Sequence, residues 1–429
     1  MLNKFIKTAI YSKGLTFTLT LVAIFAGWMS FQVLPIDAVP DITNVQVQVN
    51  TAVEGLIPEE IEKFITYPVE SEMGGIPDVD EIRSITRFGL SQVTIIFEEG
   101  SDIYRARQLV SEKLQSIKDD LPGGVQPKLG PITTGLGEIY FYALEAKEEA
   151  HGQKRLEQLM ELRAINEWLI KPRLLTVKGV AEVNAIGGYE KEYFVKPRLK
   201  DLSKYGIHLH EVVEAIERNN RNTGGGYIQQ TAEQLLIQAT GLVRSPKDIE
   251  GIVIKKLPNF KTVTVGDIAT VSLDRELRTG AALVNGQESI IGTTLMLLGE
   301  NSRTVALDIE DKIKEIRKSI PDWVKLETLY NRSELVNSTL GTVEKNLLFG
   351  AFLVALILLV IIGNFRVAII TAITIPLSLL TTFILMRYFN VSGNLMSLGA
   401  LDFGIIIDGA VIVMDNCVRF VSKKAKELG

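Results

Sequence analysis

The chain has 429 residues, enough for about three ordinary domains by length. Hydrophobic residues make up 46%, but they are concentrated in four nearly charge-free stretches close to the two ends. That distribution excludes a purely soluble globule, and 46 basic against 51 acidic residues, net −5, exclude a polyanion-binding protein. The single cysteine, Cys417, excludes an internal disulfide and any zinc site built from two cysteines of this chain.

Leu15 to Leu34 is the first apolar stretch, a charge-free run long enough to span a bilayer core of about 30 Å. Lys4, Lys7 and Lys13 precede it, as they would in a cleaved signal peptide. A signal core is shorter and ends on small residues, whereas this run leaves through Leu34-Pro35-Ile36-Asp37. An uncleaved helix is therefore expected.

The region from 36 to 342 reads as a soluble α+β assembly. Ile42 to Val49 alternates apolar and polar residues, the period of a half-buried strand. Pro58-Glu59-Glu60 opens a helix to about Met73. Strands are predicted at Ile82–Phe88 and Gln92–Phe97 around Gly89, then a helix capped by Asp102 and ending near Lys118. This order is a split βαβ unit.

A second such unit starts at Glu138–Ala143. It continues through a helix near 156–174, strands near 181–185 and 192–196, and a helix near 209–219. Its remaining elements are expected at 289–296, 302–319 and 325–330. A β-rich insertion opening at Gly224-Gly225-Gly226 separates the two parts. The domain expectation is therefore 1–35 (cytoplasmic N-terminus and first membrane helix), 36–135 (first unit), 136–223 with 286–342 (second unit), 224–285 (insertion), 343–418 (three further membrane helices) and 419–429 (cytoplasmic tail).

Those three helices correspond to Leu347–Gly363, Val367–Met386 and Leu395–Cys417. Pro376 should loosen the second of them. Short joints at 364–366 and 387–394 make the helices alternate in direction. Lys4, Lys7, Lys13, Arg366, Arg419, Lys423, Lys424 and Lys426 then fall on one side, which the positive-inside rule makes cytoplasmic.

The last stretch holds Asp402, Asp408 and Asp415. Central placement of two acids costs about 5–7 kcal/mol, against about 3–6 kcal/mol returned by the apolar residues of the run. Such a helix barely inserts alone, so its acids need partners, water or protons. Asp408 and Asp415 share a face, about 20° and 10.5 Å apart, with Asp402 about 120° round from Asp408. Low dielectric favours the neutral form of a carboxylic acid, which lets such groups take up and release protons. A buried structural acid paired with a Lys or Arg is the alternative, but no Lys or Arg lies inside these runs, only at their ends.

Other candidates carry less. Glu138, after Thr134-Gly135-Leu136-Gly137, could line a cleft between the units and contact a metal, though a lone acid at a strand edge is ordinarily solvated. His208 and His210 read as solvated surface rather than ligands. The glycine run at 224–226 lacks the Gly-Lys-Ser/Thr ending of a phosphate loop. No hydrolase or kinase signature is present.

The segments Leu34–Thr51, Thr133–Tyr140 and the Asp402-Phe-Gly through Asp408-Gly-Ala helix resemble the heavy-metal efflux branch of the resistance-nodulation-division transporters, of cobalt-zinc-cadmium type. The resemblance covers the whole chain. It implies four transmembrane helices, two ferredoxin-like porter subdomains and a β-rich docking insertion in an inner-membrane, proton-driven cation antiporter. Asp408, Asp402 and Asp415 would carry the proton relay. The Asp402-Phe-Gly pattern resembles pumps for divalent Zn, Co, Cd or Ni more than those for Cu or Ag.

A transported metal is then substrate, and no cofactor is implied. The implied partners are a periplasmic adaptor, an outer-membrane channel, membrane lipids, further copies in a homotrimer, and the C-terminal half of the pump. Family members end the helix motif in Glu-Asn, where this chain has Asp415-Asn416, one methylene shorter. The rival expectations are an inactive, membrane-anchored fragment with only an assembly role, and a relative moving lipids or proteins by the same proton coupling.

Overall fold

The computed structural model describes residues 11–34, 37, 43–53, 55–230, 233–239, 241–257, 261–276, 280–362, 365–389, 391, 393, 412–413, 416–421 and 423–424. Helix α1 covers Lys13–Val33 and leads to the first α+β unit. There β1 (Gln46–Ala52) buries alternate residues, as its period-two sequence requires. Helix α2 runs Pro58–Ile61, widens into a π turn at Glu62–Thr66 and resumes at Tyr67–Met73. Strands β2 (Val79–Arg87) and β3 (Leu90–Phe97) follow, then α3 (Ile103–Ser116) and β4 (Lys128–Leu129).

The sheet order is β2-β3-β1-β4, antiparallel throughout. The crossover through α2 leaves a gap beside β1 that β3 fills, which is the split βαβ arrangement. Val47, Val49, Val93, Ile95, Met73 and Val110 pack between sheet and helices. Gly89 adopts φ 79° between β2 and β3. Asp102 caps α3 by accepting from the N–H groups of Tyr104 and Arg105, at 2.8 and 3.3 Å.

The second unit repeats this plan with β5 (Glu138–Ala146), α4 (Gln153–Ile165, a π turn at Asn166–Ile170, then Lys171–Leu174) and β6 (Val180–Ile186). The chain leaves and returns as β14 (Gln287–Met296), α6 (Ser302–Arg317) and β15 (Val324–Asn331), so the order β6-β14-β5-β15 matches that of the first sheet. In both units a proline, Pro68 or Pro172, stands two residues beyond the π turn. Proline offers no N–H and its ring collides with the carbonyl one turn earlier. One extra residue in the turn removes both conflicts.

Between β6 and β14 lie β7 (Lys191–Pro197), α5 (Leu209–Asn219), the hairpin β8–β9 (Thr223–Gln230, Glu233–Ala239), the pair β10–β11 (Val253–Lys256, Thr262–Thr264), β12 (Ala269–Arg275) and β13 (Ala282–Val284). The sequence placed β7 and α5 with the second unit. Instead β7 pairs with β12, and Val212 of α5 packs with Leu202, Ile249, Val263, Ile268 and Val271. Alternation identifies a strand but not its partner, and this partner lies 72 to 84 residues further along, from Pro197 with Ala269 to Lys191 with Arg275.

The second unit closes with β14 (Gln287–Met296), α6 (Ser302–Arg317) and β15 (Val324–Asn331). Helix α7 (Arg332–Ile362) starts directly from β15, fifteen residues before the apolar run that announced it, and α8 (Phe365–Tyr388) continues uninterrupted through Pro376. Among the described residues one helix, α1, is long and apolar enough to cross a membrane by length and composition. Its Thr18 and Thr20 hydroxyls each donate at 2.9 Å to the carbonyl four residues earlier, so they need no solvent. The fourth apolar run lies largely outside the described residues.

Helix α1 lies against α8, with Phe31 and Phe383 stacked at 5.0 Å. Their closest approach is at Gly27, where a Cβ would come within 2.6 Å of the Leu380 Cβ and 2.7 Å of its carbonyl oxygen. Backbone cannot swing aside as a side-chain tip can. Gly27→Val is therefore expected to cost about 1–3 kcal/mol through overpacking. The expected readout is a lower Tm of the detergent-solubilised protein, and an unchanged Tm would mean the helices do not meet there.

Candidate functional site

Three of the four site residues singled out by sequence, Asp402, Asp408 and Asp415, lie outside the described residues. Glu138 is described. It begins β5 opposite Leu295 of β14, at the end of a tight turn closed by the Gly137 N–H donating to the Thr134 carbonyl at 2.9 Å. The Met296 N–H donates to the Gly137 carbonyl at 2.8 Å, fixing the turn to β14. A side chain at 137 would run into the Thr133 hydroxyl, which explains the glycine.

The turn thus presents Glu138 at the start of β5, a central strand, in an exposed position. No group of three or more His, Cys, Asp or Glu side chains able to hold a metal occurs among the described residues. His208 and His210 are both exposed. His208 precedes α5, its N–H donating to the Glu211 carboxylate at 2.7 Å. Gly224-Gly225-Gly226 belongs to strand β8 and forms no loop.

A cleft of about 890 Å³ does lie between the two split βαβ units, but Glu138, which the sequence reading placed in such a cleft, is not among its lining residues, and the residues that do line it were not foreseen. Its wall includes Asn50 of β1, Arg107 of α3, Lys128 of β4, Lys171 of α4, and Glu182 and Asn184 of β6. Three cations thus face one carboxylate. Arg107 Nη1 donates to the Gly130 carbonyl at 2.6 Å, and burial pushes its guanidinium below the usual arginine range. Lys171 Nζ lies 3.3 Å from the Glu167 carboxylate. The Asn50 Oδ1 atom is buried without a hydrogen-bond partner.

The visible signal for this wall was the polar face of β1, where Gln46, Gln48 and Asn50 alternate with buried valines. Nothing in the sequence brings that face to α4. The arrangement is a cleft between two sheets of the same topology, with cations on its wall, and its lining holds no nucleophile with an adjacent base. A wall of this kind can hold a polar or anionic group.

Comparison with known proteins agrees with this architecture. Residues 5–428 match the AcrB/AcrD/AcrF family. The chain is 50% identical over 428 residues to protein HelA of Legionella pneumophila, covering 100% of this chain and 40% of that one. It is 50% identical over 406 residues to the cobalt-zinc-cadmium resistance protein CzcA of Cupriavidus metallidurans, covering 94% and 38%. The crystal structure of a heavy metal efflux pump superposes with TM-score 0.87 at 37% identity, covering 97% of this chain and 41% of that one. The chain therefore spans about two fifths of the length of these relatives.

Proposed function

The chain belongs to the AcrB/AcrD/AcrF family, and from that premise we propose that it is the N-terminal portion of a proton-driven inner-membrane exporter of divalent heavy-metal cations. The observation that carries the reading is the likeness, over nearly the whole chain, to a heavy metal efflux pump in both sequence and fold. Half-identity to a cobalt-zinc-cadmium resistance protein favours Zn, Co, Cd or Ni over Cu or Ag as cargo.

In this reading α1, α7, α8 and the run at 395–417 are the four transmembrane helices, and the α+β region lies in the periplasm. The remainder of the pump, a periplasmic adaptor and an outer-membrane channel complete the assembly, which is trimeric. Asp402, Asp408 and Asp415 carry protons inward as the cation moves outward. Glu138, on its exposed turn, touches the cation in passing.

The test is cation uptake by inverted membrane vesicles that contain the chain with the rest of its pump. An imposed pH gradient should drive Zn or Co uptake, and a protonophore should stop it. A complete assembly that moves no cation under the gradient would leave the membrane-anchored, non-transporting reading. In the same assay Glu138→Gln is expected to raise KM about two- to fivefold with kcat unchanged, the signature of lost ground-state binding. An unmoved KM would make Glu138 an ordinary solvated acid.

A further inference from the structure

Strand β15 passes into α7 with no linker. Asn331 ends the strand, and its Oδ1 accepts from the Ser333 N–H at 2.9 Å and the Ser333 hydroxyl at 2.7 Å. Its Nδ2 donates to Glu310 of α6 at 2.9 Å. The corner is therefore fixed on both sides, and the direction of α7 is set by the second unit.

Arg332 is the first residue of α7. Its Nε donates to Asp37 Oδ1 at 2.9 Å, and Nη2 lies 2.8 Å from the same oxygen. Nη1 donates to the Tyr330 hydroxyl at 3.2 Å. The Arg332 side chain is only 8% exposed. Asp37 stands just past Leu34, where α1 ends, and its own N–H donates to the Gly393 carbonyl beyond α8 at 2.9 Å.

An apolar cluster joins the same helices: Leu34 and Val336 are buried against Phe31, Leu340, Phe383 and Met386. Arg303 of α6 adds a hydrogen bond from its Nε to Asn337 of α7 at 2.7 Å. One residue thus gathers the exit of α1, the segment after α8 and the head of α7.

Apolar packing alone would hold these helices together but would let them slide. An ion pair whose guanidinium is buried restricts that freedom, because a displaced guanidinium is left desolvated and unpaired, although the Asp37 carboxylate keeps 27% of its surface exposed. We propose that the Arg332–Asp37 pair is a positioning joint that makes the second split βαβ unit and the helices move as one body. The proposal rests on the transport reading above and adds the residues that couple its two parts.

The experiment uses the complete assembly in vesicles. Asp37→Asn and Arg332→Gln should each lower kcat for cation transport about tenfold or more, with KM and membrane abundance within about twofold of the parent. The exchange Asp37→Arg with Arg332→Asp should recover most of the rate. Single variants that transport at the parental rate would overturn the proposal. So would variants that lose abundance and rate together and regain neither on exchange.

A second arm replaces Cys417 by Ser, introduces Asp37→Cys and Arg332→Cys, and bridges the two thiols with a short bis-methanethiosulfonate reagent. Transport should persist with the bridge in place. A bridge that stops transport until it is reduced would mean that the joint opens in the cycle, contrary to the proposal. Should the parental assembly move no cation, the transport reading fails instead. The joint is then judged by bridging yield, which should stay the same with and without a pH gradient; a change would overturn it.

Discussion

Gly292→Val is expected to abolish folding of the second split βαβ unit. Gly292 lies in β14 directly opposite Tyr142 of β5, and any Cβ at that position would fall within the Tyr142 ring. The ring cannot yield, because Tyr142 is fully buried and its hydroxyl donates to Asn166 Oδ1 at 2.8 Å. Asn166 is itself buried, and it begins the π turn of α4. Burial, with a smaller contribution from nearby Glu167, pushes the Tyr142 phenol well above its usual value, so it stays a neutral donor at any working pH.

Valine there carries two costs. Overpacking the sheet–helix core costs about 1–3 kcal/mol. Displacing the ring also strands the buried amide and phenol, at about 1–3 kcal/mol for each group. Together these amount to about 3–9 kcal/mol, a large share of the roughly 5–15 kcal/mol that holds a domain folded. The measurement is limited proteolysis and membrane abundance of the full chain. Tyr142→Ala should partly rescue Gly292→Val by emptying the space, a non-additivity expected only of residues in contact. Proteolysis of Gly292→Val indistinguishable from the parent would show that the strands can separate to admit a side chain.

The same pair illustrates what the sequence could convey. Strands β1 and β3 of the first unit were legible because each buries one face, which writes a period-two pattern into them. The cap at Asp102 was legible because an N-cap acts over three residues and needs no tertiary partner. Register was not legible: nothing in the sequence around Gly292 announces a tyrosine ring contributed from 150 residues earlier. The π turns were hidden for a related reason, since Pro68 and Pro172 read either as helix ends or as tolerated kinks until the widened turn is seen.

The basic cleft was hidden because Arg107, Lys128 and Lys171 sit on three elements that only the packing of the two units brings together. Asp37 and Arg332 are 295 residues apart, and a single acid after a helix or a single arginine before one is unremarked in any sequence. The acids of the fourth apolar run were the reverse case. A charge in an apolar run stands out at once, because its cost does not depend on knowing its neighbours.

That cost is the basis for expecting Asp408→Asn to reduce cation transport to background while the chain still inserts and folds. Asparagine has nearly the size of aspartate and keeps a carbonyl oxygen, so packing and one acceptor survive. What it cannot do is change charge. Within a run where each central acid costs about 2.5–3.5 kcal/mol, the neutral amide should insert at least as readily as the acid. A fall in abundance is therefore not expected, and a fall in rate has to come from the missing proton. Asp408 is the natural first target because on a helix it would lie about 10.5 Å from Asp415 on one face, a gap that a short chain of waters could bridge for protons. Asp402, about 120° round, should be the weaker variant by the same geometry.

Proton flux and cation flux should fail together in Asp408→Asn, measured in the same vesicles with a pH-sensitive dye and a metal indicator. Asp408→Glu, which restores an ionisable group one methylene longer, should recover part of both. Metal efflux at the parental rate in Asp408→Asn would sink the relay assignment and return the acid to a structural role. Loss of cation flux with proton flux intact would instead place Asp408 on the cation path.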